Sequence, residues 1–273
     1  MKIKEIKTAD YLSASKLPAS DYVINPYVGC PHACKYCYAC FMKRFTGHDE
    51  EWGTFLDVKR CDKPIHVKKI ENKSVFLSSV TDCYNQYEEK YGITRMILEQ
   101  LVGVACSLDI STKSKLILRD LDLLKKMNHL QVSMSINTLD DGFRSDMDNA
   151  SSIRERLETL KILHENGIKT ILFLSPIFPY ITDFREILEY SQKFIDVYWF
   201  ENLNLRGGYK KVILDYIKMK YPQFYEGYIQ IYLKKDKSYW VELSQEIEIY
   251  CAKENIQYVN YFYHEELVKN KEN

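Results

Sequence analysis

The feature that most constrains this chain is the run NPYVGCPHACKYCYAC at residues 25–40, which crowds Cys30, Cys34, Cys37 and Cys40 into eleven positions. The remaining cysteines, Cys61, Cys83, Cys106 and Cys251, are scattered. The start MKIKEIKTAD lacks the apolar core of a secretory signal. No stretch reaches the roughly 18 apolar residues of a membrane span. A cytoplasmic, non-membrane chain is therefore expected, and there clustered thiols bind metal or do redox work rather than form a disulfide framework. A chain of 273 residues, 46% hydrophobic, can bury a sizeable core, and its formal net charge of +0 selects no class of partner.

The middle of the chain alternates between strand and helix patterns. Strands are expected at residues 22–28, 75–79, 108–112, 131–136, 168–175 and 195–200. Helical spacing is read at 93–107 (Ile97, Leu101, Val104, Ala105) and 116–127. A helix should also follow Ser152-Ile-Arg-Glu155, a capping-box pattern, and another should start at Asp183. Six strands separated by helices or longer connections predict an α/β fold with a parallel sheet, either open or an incomplete barrel. Such folds carry their chemistry at the carboxyl ends of the strands, and the cysteine run directly follows the first of them. After residue 206 the alternation breaks. A helix at 238–254 and a strand at 256–262 are expected there, so the chain divides into a core at 1–206 and an extension at 207–273 packed on the same domain.

The first three cysteines are spaced C-x3-C-x2-C. A zinc ribbon usually needs two separated C-x2-C pairs, and no second pair exists. A redox C-x2-C would leave Cys30 unexplained. Three thiolates on one loop suit three irons of a [4Fe–4S] cluster, with the fourth iron open to another ligand. Cys40 stands either as a fourth ligand or as a thiol packed just outside the cluster. Cys61, Cys106 and Cys251 read as ordinary core or surface residues.

C-x3-C-x-aromatic-C, with Tyr36 as the aromatic residue, resembles the signature of the radical S-adenosylmethionine (SAM) enzymes. The resemblance implies a partial (β/α)6 barrel, here with a C-terminal α+β extension. It also implies a [4Fe–4S] cluster on Cys30, Cys34 and Cys37, and SAM bound to the open iron. Reductive cleavage of SAM to a 5′-deoxyadenosyl radical would then start hydrogen abstraction from substrate.

Polar residues occupy the other strand ends: Ser78-Ser-Val-Thr-Asp82, Ser111-Thr-Lys-Ser114, and Ser133, Ser135 and Asn137. Thr81-Asp82, Thr112-Lys-Ser114 and Ser135-Ile-Asn137 resemble the branch that contains spore photoproduct lyase. By that resemblance Lys113 and Ser135 contact SAM and Thr81 offers a hydroxyl. Asp82, Ser133, Asn137 and Tyr36 complete the expected cofactor-binding set. The lyase has a cysteine hydrogen donor just before its Ser/Thr-Asp pair, where this chain has Val80; the nearest thiol is Cys83, expected as a hydrogen donor, relay or thiyl site, or as a buried loop thiol. The segment NPYVGCPHACKYCYACFMKRFTGH with WGTFLDVK is also similar to the second protein of the radical SAM mobile pair. This implies a partner radical SAM protein, besides an electron donor such as flavodoxin or ferredoxin.

Weaker site candidates are Ser175–Pro179 after the fifth strand, Glu201, Asn204 and Arg206 after the sixth, and His264. Seven lysines among interleaved aromatics at 210–237 suit either single-stranded nucleic acid or a solvated face over packed tyrosines. Three functions stay open: radical chemistry on a nucleic-acid base or nucleotide, radical chemistry on a peptide or protein side chain with the paired protein, and a metal-stabilised binding protein without catalysis. The strand-end polar residues argue against the last, because a structural cluster does not need them.

Overall fold

A computed structural model describes residues 1–17 and 20–262; His264 lies outside them. The strands, in chain order, are β1 (Lys2–Lys7), β2 (Leu12–Ala14), β3 (Tyr22–Ile24), β4 (Tyr27–Val28), β5 (Phe55–Arg60) and β6 (Ser74–Leu77). They continue with β7 (Ser107–Thr112), β8 (His129–Ser135), β9 (Lys169–Ile177), β10 (Val197–Asn202) and β11 (Tyr258–Asn260).

Eight strands form one sheet in the order β11-β10-β9-β8-β7-β6-β3-β2. All neighbours are parallel except the edge pair β2 and β3. The six expected strands therefore lie side by side, and the sheet stays open, as an α/β partial barrel requires. A second, three-stranded sheet pairs β1 parallel and β4 antiparallel with β5.

Local sequence explains the crossovers. The helix Ile93–Leu101 buries Ile93, Ile97, Leu98 and Leu101, one stripe of a 3.6-residue period. The helix Ile153–Glu165 opens with Ser152 and Glu155 in a reciprocal capping box. Asp183 caps the helix Phe184–Ser191 by accepting from the N–H groups of Arg185 and Glu186.

Three boundaries differ from expectation. Residues 22–28 are two strands in different sheets, because Pro26 has no N–H to continue the ladder. The helix from Ile93 ends at Leu101, and Gly103 turns the chain at φ +77°. Residues 115–124 form a 3₁₀ turn, Lys115–Asp120, running into one short helical turn, Leu121–Leu124.

Helices Gly207–Lys220, Pro222–Tyr232 and Ser238–Lys253 complete the described chain. The last buries Trp240, Ile247 and Cys251 in the main core beside the sheet. The first two contribute Ile213, Tyr216, Ile217 and Tyr228 to a smaller apolar core that also holds Tyr36, Phe143 and Phe178.

Candidate active site

A cavity of about 380 Å³ opens at the carboxyl ends of β6 to β10, within the usual size range of small-molecule pockets. Cys30, Cys34 and Cys37 line one wall, with Tyr36 and Tyr38. Ser78 to Asp82, Thr112, Lys113 and Ser135 line the strand ends, and Ser175, Glu201, Asn202, Asn204, Arg206 and Tyr209 the far side.

The cysteine loop leaves β4 through Gly29, whose φ of +85° and close approach to the Phe55 carbonyl admit no side chain. Gly53 presses on the loop at Ala33, where an added Cβ would lie 2.8 Å from the alanine methyl. Among the described residues no three His, Cys, Asp or Glu side chains converge on one metal ion. A cluster makes a different demand, since each thiolate takes its own iron and the cysteines must ring a space. The three thiols here share one cavity wall and no disulfide. Burial pushes all three up, Cys34 to about 12. As free thiolates they would be costly, and bound iron would supply the missing positive charge. The Lys113 ammonium acts in the same sense on Cys34 and Cys37. This donor set fits the cluster.

Asp82 organises the strand ends. Its carboxylate accepts from Thr112 Oγ1 at 2.8 Å, from the Lys113 N–H at 2.8 Å and from the Tyr84 N–H at 2.8 Å. Nδ1 of His32, inside the cysteine loop, lies 3.3 Å away. Burial works against the charge on Asp82, but His32 and the N–H and O–H donors hold its carboxyl below the usual range. Thr81 Oγ1 donates to the Gly29 carbonyl at 2.7 Å, a second tie to the loop.

Behind Tyr36 the loop is held by an ion pair. Tyr36 OH donates to Asp148 at 3.1 Å. The other Asp148 oxygen pairs with Arg156 at 2.5 Å, both side chains being almost fully buried. Arg156 also donates to the Ser135 carbonyl at 3.1 Å. The backbone completes the seam, Lys35 N to Met147 O at 2.9 Å and Asn149 N to His32 O at 2.8 Å. Lys113 Nζ stands 5.9 Å from the centroid of the Tyr36 ring.

The radical SAM superfamily profile matches residues 24–191, more than half of the chain and all of the site described so far except Glu201 to Tyr209. The chain belongs to the radical SAM superfamily. Radical SAM proteins use a [4Fe–4S] cluster and SAM, and the chain is thereby an enzyme of that class. It is 37% identical over 227 residues to the protein MJ0683 of Methanocaldococcus jannaschii, covering 83% of this chain and 86% of that one. It is 24% identical over 241 residues to a Mycobacterium tuberculosis protein, covering 81% and 69% respectively. Its fold is similar to spore photoproduct lyase with bound AdoMet and dinucleoside spore photoproduct, at a TM-score of 0.60 and 17% identity, covering 81% of this chain and 66% of the lyase. It is also similar to Streptococcus suis SuiB bound to S-adenosylmethionine, at a TM-score of 0.56 and 19% identity, covering 87% of this chain and 49% of SuiB.

Not every residue singled out in the sequence reaches this cavity. Tyr36, Thr81, Asp82, Lys113 and Ser135 line it, as do Ser175, Pro176, Glu201, Asn204 and Arg206. Ser133 is buried beneath, bonded to the Ile110 carbonyl at 3.5 Å, and Asn137 donates to the Pro176 carbonyl at 3.1 Å. Cys83 is absent from the cavity lining, fully buried in the main core. Asp82 faces the cavity, so the next residue turns inward; its N–H goes to Ser78 Oγ at 2.8 Å and its carbonyl accepts from Thr94 Oγ1 at 2.6 Å. Cys40 is half-buried, and Cys106 and Cys251 are buried. In residues 210–237, Tyr216 and Tyr228 belong to the smaller core, while Lys211, Lys220 and Lys234 lie 3.9 Å from carboxylates. Within it Tyr221 and Phe224, both half-buried, stack on each other with centroids 6.2 Å apart.

Sequence reasoning missed His32, Asp148 and Arg156. The His inside C-P-H-A-C was readable as a neighbour of the cluster loop. The pairing of Asp148 with Arg156 was not, because it depends on how the loop before the helix Ile153–Glu165 folds back.

Proposed function

We propose that Cys30, Cys34 and Cys37 hold the [4Fe–4S] cluster of this enzyme and that SAM sits in the same cavity against Lys113, Ser135 and Tyr36. The observation that carries this reading is one cavity wall of three thiols facing strand ends that bear a lysine and hydroxyls. When bound, the cluster would supply the electron for reductive cleavage of SAM, the chemistry that makes hydrogen abstraction from substrate available at this cavity. The protein's own residues do the rest. Lys113 offers an ammonium for the SAM carboxylate. Ser135 and Thr81 offer hydroxyls. Asp82 acts through others, fixing Thr112, the Lys113 backbone and His32.

The substrate is a nucleic-acid base or a nucleotide. Support comes from the residue types on the far side of the cavity, Asn202, Asn204, Arg206, Tyr38 and Tyr209, where Arg206 is held by Asn204 Oδ1 at 3.0 Å and Tyr209 by the Asn204 carbonyl at 2.6 Å; guanidinium, amide and phenol groups suit phosphate, base edges and stacking. An acidic flavodoxin or ferredoxin would deliver the electron, and a second radical SAM protein would act alongside.

The test is anaerobic reconstitution with iron and sulfide, followed by dithionite, SAM and deuterated substrates. Deuterium from labelled oligonucleotides or nucleotides should appear in 5′-deoxyadenosine. Label arriving only from peptides would overturn the substrate reading. A full cluster in a protein with Cys30, Cys34 and Cys37 all changed to Ala would overturn the site.

A further inference from the structure

The turn that precedes β5 carries Trp52, and its indole nitrogen is buried without any regular hydrogen-bond partner in the protein. An orphaned donor of this kind is costly unless something satisfies it. The Cys37 thiol lies within its hydrogen-bonding reach, and within that of the backbone N–H groups of Ala39 and Cys40, although the indole contact falls short of a regular hydrogen bond. A neutral thiol is a weak acceptor, whereas a thiolate on iron is a strong one.

The backbone donors come from the cysteine loop itself, but Trp52 comes from outside. Its ring is fixed edge-on against Phe55 with centroids 5.7 Å apart, and Phe55 in turn stacks on His48 at 3.9 Å. Gly53 sets the distance: its close contact with Ala33 seats the turn directly on the loop. Donor and acceptor are thus carried by two packed elements, and the bond does not depend on a flexible side chain.

We propose that the Trp52 indole N–H donates to the Cys37 thiolate and thereby raises the reduction potential of the cluster. Reduction adds negative charge that spreads onto the sulfurs, so a donor aimed at one of them stabilises the reduced state more than the oxidised state. Hydrogen bonds to sulfur are among the recognised determinants of cluster potential. Trp52 is accordingly a positioning and tuning residue; it does not line the cavity.

The inference rests on Cys37 being a cluster ligand, and the two can fail separately. If Cys37 is not a ligand, Cys37→Ala keeps its cluster; if only the tuning role is wrong, the cluster needs Cys37 but ignores Trp52. The experiment is a redox titration of the reconstituted cluster, followed by electron paramagnetic resonance, in Trp52→Phe. A second variant carries 3-benzothienylalanine at position 52, which keeps the bicyclic shape and replaces the N–H by sulfur. Both should be harder to reduce, with the equilibrium constant lowered about tenfold, or 59 mV for one electron. An unchanged potential in both overturns the proposal. So does a shift in Trp52→Phe that the bicyclic analogue does not reproduce, because that would be packing.

Discussion

Asp82, in the loop after β6, and His32, inside the cysteine loop, lie 3.3 Å apart, carboxylate oxygen to ring nitrogen. The pair joins the loop to the strand ends, because the same carboxylate binds Thr112 and the Lys113 backbone.

Replacing Asp82 with Asn should lower stability at neutral pH by about 1.5–3 kcal/mol, the range for bonds to a charged acceptor. The carboxyl is depressed in the folded state, so the unfolded chain binds its proton at the higher pH. Its stabilisation is complete above the ordinary carboxylate pKa of about 4 and is lost as pH falls through the depressed value. The gap between wild type and Asp82→Asn should therefore narrow on acidification. Urea unfolding of the apoprotein across that window checks this.

Lys113→Ala should weaken SAM binding while leaving cluster absorption unchanged. A charge-assisted bond contributes roughly 1.5–3 kcal/mol, so affinity should drop about ten- to a hundredfold. Calorimetry on the anaerobic, cluster-loaded protein gives the number. Equal affinity for wild type and variant would take Lys113 out of the SAM site.

Cys83 lies in the core rather than on the cavity. Cys83→Ala should keep the cluster, SAM cleavage and normal product, and lose only packing. Cys83→Ser should be less stable by about 1–3 kcal/mol, because a hydroxyl in an apolar setting needs a partner. Product analysis beside thermal unfolding separates the two effects. Loss of product in a folded, SAM-cleaving Cys83→Ala protein would restore a hydrogen-donor role.

Asp148→Ala leaves Arg156 as a buried, unpaired cation and frees the Tyr36 hydroxyl. Breaking a buried pair in this way costs about 3–5 kcal/mol. Denaturation of the apoprotein should show that loss, and reconstitution should show lower iron content, since the loop loses its backing. An apoprotein as stable as wild type would mean that Arg156 finds another partner.

The sheet was legible because hydrophobic runs and turn residues are local signals. Five of the six expected strands, with residues 22–24 of the remaining one, lie adjacent in one sheet, and the capping box at Ser152 forms as read. The placing of Thr81, Asp82, Lys113 and Ser135 beside the cysteine run was legible too, because strand ends in such a sheet open on one cavity. What failed was orientation within a loop: one residue separates Asp82 at the cavity from Cys83 in the core, and no spacing rule fixes that turn. The lysine- and tyrosine-rich segment was ambiguous for a similar reason, since a ring that packs inward and a ring that stacks outward have the same composition.

Tyr36 lies in an apolar core built with Ile213, Tyr216, Ile217 and Tyr228. The foundation of the N-terminal cysteine loop is therefore laid by the last quarter of the described chain. The cysteine motif is not a portable cassette. Exchanging the helices after residue 206 between relatives would also exchange the floor on which the cluster stands, so an altered iron content in such a hybrid would report on inheritance of that floor before it reported on substrate choice.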